Sequence, residues 1–115
     1  MSSPDDSILT SIKKTLNITP DYKAFDQELI LFINSSFLAL RQLGVGPEDG
    51  FIITDETQTW KQFIQGDRLE AAKTYIHAQV RLLFDPPTSS FGQESIRKIS
   101  DELGWRLFVE SEHND

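Results

Sequence analysis

The sequence predicts an all-α protein, a small helical bundle of three to four main helices plus a short helix, with a long central loop that has room for a short extended segment. Three observations predict it. Apolar residues recur at three- and four-residue spacing over four long stretches. Capping residues, glycine or proline bound those stretches. The one β-like segment, Phe51-Ile52-Ile53-Thr54, is very short and has no obvious partner strand. With 115 residues the chain is one domain.

The first helix is expected over residues 4–16, with Ser3 as N-cap, Pro4 at the first helical position, and Asp5 and Asp6 at the positive dipole end. Ile8, Ile12 and Leu16 form its apolar stripe, with Leu9 beside them. Residues 17–25 read as a connector. The second helix is expected over 26–43, with Asp26 as N-cap and Phe25 and Ile30 at hydrophobic-staple positions. Leu29, Ile30, Ile33, Phe37, Leu40 and Leu43 follow the helical period. Leu31, Phe32 and Leu38 lie off that stripe, so the helix reads as the central one, buried on more than one side. Gly44 suits the position just past its end.

Residues 44–56 read as loop, opening with three glycines and a proline in seven residues. A short helix is expected over 57–64, with Trp60, Phe63 and Ile64 on one side. Asp67 and Glu70 have capping-box spacing ahead of a helix over 68–84, whose face is Leu69, Ala72, Ile76, Val80 and Leu83. Pro86 and Pro87 stop it. Ser90 and Gln93 open a last helix over 91–109, with Ile96, Ile99, Leu103 and Leu107 as its stripe and a frayed polar tail after it.

Composition excludes several function classes. The chain has no cysteine, so disulfides, thiolate catalysis and cysteine zinc sites are out. The longest apolar run, Leu29 to Ile33, is far short of a membrane span, and the N-terminus lacks the features of a secretory signal. A soluble intracellular protein is therefore the expectation. Net charge is −7, which opposes wrapping nucleic acid. The two histidines, His77 and His113, have no carboxylate at ligand spacing on the same helix face, so no metal site is expected. There is no nucleophile elbow and no phosphate-binding loop. No catalytic residue, cofactor-binding residue or cofactor is expected. Basic residues are scattered, and Asp85 to Ser89 is a poor helix-turn-helix turn.

The aromatic residues stand out. Phe51, Trp60 and Phe63 cluster around the middle loop, where they either complete a small core or anchor a subunit interface. Arg81 and Asp85, four apart, suit an intrahelical pair; a sharper expectation ties Asp85 to Arg106 on the last helix.

Several segments together carry a resemblance. They are Gln42-Leu43-Gly44-Val45-Gly46-Pro47, Thr59-Trp60-x-x-Phe63, Lys73-x-Tyr75-Ile76, the stretch Val80-Arg81-Leu82-Leu83-Phe84-Asp85-Pro86-Pro87-x-Ser89-Ser90-Phe91, and Glu102-Leu103-x-Trp105-Arg106-Leu107. In these the chain resembles the head–tail connector family of tailed bacteriophages over nearly its whole length. The resemblance implies a non-enzymatic adaptor of the virion, without cofactor, that assembles with copies of itself as a ring under the portal protein. The ring extends the channel through which viral DNA passes without specific binding. It docks the next connector or the tail, with assembly in the host cytoplasm and no membrane partner. An acidic ring interior would let DNA slide. The region from Val45 to Ile64 is then a candidate ring contact, with Phe51, Ile52, Ile53, Trp60 and Phe63 as interface residues and the extended 51–54 segment available for edge pairing. The competing readings are a small DNA-binding or packaging-accessory protein and a metal-dependent enzyme using His77.

Overall fold

A computed structural model describes residues 6–113, with side chains described through Glu110. Five α-helices make up the fold: α1 (Ile8–Thr15), α2 (Asp26–Gln42), α3 (Trp60–Phe63), α4 (Leu69–Phe84) and α5 (Ser90–His113). The described residues contain no strand, only an isolated antiparallel bridge between Ser7 and Thr59. The all-α expectation holds. The domain is a plate of 41 × 41 × 20 Å, about two helix diameters thick.

α4 is the central helix, packed against α2 on one side and α5 on the other. The sequence reading put α2 there, because Leu31 and Leu38 widened its apolar surface. Both are exposed, at 65% and 55%. Leu29, Ile33, Phe37 and Leu40 are buried on the opposite face, so α2 is buried on one side only. Leu83 on α4 and Ile99 on α5, both assigned to core stripes, are likewise about half exposed.

Helix boundaries follow the hydrogen bonds. Pro4 and the Ser3 cap lie outside the described residues, and Ser7 is the N-cap of α1. The Ser7 hydroxyl accepts the Thr10 N–H and donates to the Glu56 carbonyl, 2.7 Å away. α1 ends in a left-handed turn at Asn17 (φ 63°), with Ile18 N–H bonded to the Lys13 carbonyl and Asn17 N–H to Lys14. α2 ends the same way at Gly44 (φ 83°), and the next residue, Val45, is buried. Gly44 thus stands where the sequence put it.

Three expected caps are replaced. Asp26 is the first residue of α2 rather than its N-cap, and its carboxylate is taken by Lys13 at 2.7 Å. A charge-assisted bond of that kind outcompetes a backbone N–H. The expected staple partner Phe25 turns instead to Tyr22 and, edge-on, to Phe84. α4 starts after Arg68 with no side-chain cap, so the Asp67–Glu70 box is not formed. The Gly66 turn, closed by the Leu69 N–H on the Gly66 carbonyl, delays the helix. At α5 the capping oxygen comes from Ser89, which accepts the Gly92 N–H, while Gln93 reaches back to the Pro87 carbonyl. α5 then runs to His113, four residues beyond the expected end. α3 is shorter than expected, and Thr59 and Gln62 close a full capping box at its start.

Candidate functional site

The segment between α2 and α3 is irregular but held at many points. Asn34 on α2 grips the extended piece: its amide donates to the Ile53 carbonyl at 3.0 Å and accepts the Ile53 N–H at 2.8 Å. One side chain thus does for Ile53 what a neighbouring strand would do. Gln58 ties down the tip by accepting the Thr54 and Asp55 N–H groups and donating to the Thr54 hydroxyl. The Asp55 carboxyl accepts the Thr57 hydroxyl and N–H, which hold it below the ordinary carboxylate pKa. Gly46 has φ +94°, and a Cβ there would lie 2.6 Å from the Phe63 ring.

The five candidate interface residues separate by burial. Ile53, Trp60 and Phe63 are buried in the domain's own core. Trp60 donates its indole N–H to Ser11 at 2.9 Å, and Lys73 lies over its ring. Phe51 is half-buried against Phe37 and Phe63. Ile52 is 63% exposed and lines a shallow cavity with Leu38 and Arg41. Ile52 is thus the one of the five with a side chain open to a partner.

Around α5 the exposed apolar surface is larger. Trp105 (65% exposed) and Phe91 (83% exposed) project from it. Trp105, Phe108, Tyr75 and Leu43 line a cleft beside Asp101. Gly104 makes the cleft floor, since a Cβ there would meet the Tyr75 ring at 3.2 Å. Burial, and secondarily the Asp101 charge, push the Tyr75 phenol pKa up. Sequence reasoning missed this cleft: Tyr75 and Trp105 lie thirty positions apart, and only the α4–α5 packing brings them together.

The three ion-pair candidates are not joined in one set. Arg81 Nε donates to the Asp85 main-chain carbonyl at 2.8 Å, capping α4. Arg106 closes on Glu102, 2.7 Å away on its own helix. Among the described residues, the ion pair that joins two helices is one that sequence reasoning missed: Lys13, 1% exposed, holds Asp26 and the Pro20 and Tyr22 carbonyls. Its position i+1 after Ile12 and beside Leu9 places it on the core face, yet as one of two adjacent lysines it reads as surface.

Among the described residues there is no cluster of three metal-binding side chains, and no helix is long and apolar enough to cross a membrane. His77 lines an α4–α5 groove without a carboxylate beside it.

The fold is an all-helical plate with a braced loop and exposed apolar side chains on its outer helices. The chain belongs to a phage family: the family model described as "Phage connector protein" matches residues 8–114. That family is structural, so a connector-like structural role in the phage particle follows. No curated protein and no solved structure matches the chain.

Proposed function

We propose that this protein assembles as a ring under the phage portal, extends the DNA channel, and offers the docking surface for the next connector or the tail. Family membership over nearly the whole chain carries this reading. Two features support it. Exposed apolar residues lie on both α2 and α5, the helices flanking α4, as an assembling subunit requires. The net charge of −7 suits a channel wall that does not retain DNA. The portal protein and a downstream connector are the partners, and no catalytic step is assigned.

Mass spectrometry of purified tailed particles, paired with electron microscopy of the head–tail junction, tests this. The chain is expected in the particles, as density between portal and tail. Tailed particles that lack it would overturn the reading.

A further inference from the structure

The molecule carries two unlike patches with complementary chemistry. The first is the tip of the α2–α3 loop. Ile52 stands 63% exposed there, with Glu48, Asp49, Asp55 and Glu56 all exposed on either side in sequence. Asp55 is held ionised by Thr57. The tip is braced by Asn34 and Gln58, so little ordering is left to be done on binding.

The second patch is the groove between α4 and α5, a cavity of about 220 Å³ lined by Thr74, His77, Ala78, Arg81, Ile96 and Ile99. Its floor is apolar and Ile99 is 51% exposed. None of its lining residues is acidic, in a chain with seven more acidic than basic residues. Arg81 spends Nε on the Asp85 carbonyl, which leaves its terminal nitrogens for another acceptor. Glu102, one turn along α5 from Ile99, is already neutralised by Arg106. An apolar cavity of about 150 Å³ admits a benzene ring, so a branched aliphatic side chain fits here.

The two patches do not meet within one molecule. The loop is fastened to α2 through Asn34 and Arg41, and α4 stands between α2 and α5. Identical patches would pair two copies and stop. Unlike, complementary patches join copies head to tail and continue until a ring closes.

We infer that the Ile52 loop tip of one copy docks into the α4–α5 groove of the next, with Ile52 against Ile96 and Ile99 and the flanking carboxylates facing Arg81 and His77. The choice of a second copy as occupant rests on the ring reading above; the pairing of surfaces rests on their charge and shape.

The chain has no native cysteine, so engineered thiols report cleanly. Full-length Ile52→Cys and Ile99→Cys variants, carrying different tags, are co-expressed during particle assembly and then oxidised. Both positions are exposed, and circular dichroism checks that each variant is folded. The expected result is a disulfide between the two variants and none within either variant alone. Asp49→Lys or Arg81→Glu alone is expected to cut that cross-link about tenfold, and the two combined in one chain to restore it. A cross-link of Ile52→Cys with itself would overturn the inference, as would absence of any mixed cross-link. Microscopy of the same particles separates the two readings: a connector ring without the cross-link overturns the pairing and leaves the ring standing.

Discussion

The Lys13 ammonium is nearly sealed from water and bonded to one carboxylate and two carbonyls at 2.6–3.1 Å. A charge buried so deeply is tolerable only while its partner stays. Asp26→Asn keeps the shape but strands the lysine, and is expected to lower stability by ~3 kcal/mol. A urea midpoint that falls with unchanged slope would show it; a loss under about 1 kcal/mol would mean the carbonyls suffice. Composition could not show this contact, since burial of one lysine among eleven basic residues depends on where the 17–25 connector folds back. Tyr75 gives a second residue-scale prediction. Its phenol is buried in the cleft beside Asp101, so its pKa lies above the ordinary 10.0. A raised folded-state pKa means the neutral form is favoured by folding. The stability it contributes is complete below pH 10 and is lost as pH rises through the folded value. With Tyr22→Phe removing the only other tyrosine, phenolate absorbance is expected to titrate above pH 10.0, and Asp101→Asn to bring that midpoint partway down.

The loop between α2 and α3 lacks regular secondary structure yet has a fixed shape, and two side chains account for much of it. Asn34→Ala removes both bonds to Ile53, a residue 1% exposed, and strips its N–H and carbonyl of those partners. The expected loss is ~2 kcal/mol, with hydrogen exchange at the Ile53 amide accelerating more than exchange in α4. Gly46→Ala places a methyl 2.6 Å from Phe63 and forces a non-glycine residue to φ +94°, so a loss of ~2 kcal/mol is expected there as well. Helices α2, α4 and α5 were legible because each keeps an apolar period over three or more turns, and α1 because its shorter stripe is clean. Their starts were not. Capping spacing occurs at Asp26, Asp67 and Ser90, but Lys13, the Gly66 turn and Ser89 decide where each helix begins. The interface candidates failed to sort for the same reason. Phe51, Ile53, Trp60 and Phe63 are aromatic or branched residues in a loop-rich stretch, a pattern equally suited to a core and to a contact, and three of them are core.

At the scale of the whole molecule, the core runs through one plate from α1 to α5, and most of the exposed large apolar residues on its helices lie on α2 and α5, with Leu83 the exception on α4. That distribution was invisible in the sequence, because Ile99 fits its helical stripe as well as Ile33 does, and Leu31 and Leu38, off the α2 stripe, read equally well as a second buried side. Only the position of α4 between its neighbours decides which leucines reach water. The basic residues are distributed to match. Lys13 is buried, Arg106 is paired with Glu102, Arg97 lies near Glu94, and Lys73 sits over Trp60. What remains is no continuous stripe of free cations along a helix. A DNA-binding accessory protein would need to neutralise several phosphates, and its affinity would fall steeply with salt. A channel wall needs the opposite. The expected outcome is no retention of a duplex in a mobility-shift or anisotropy assay at about 150 mM salt with protein near 100 μM, the range where nonspecific DNA-binding proteins bind. Lowering salt to about 50 mM is expected to change nothing, since there is no counterion release to gain. Measurable binding that weakens steeply with salt would favour the packaging-accessory reading over the channel.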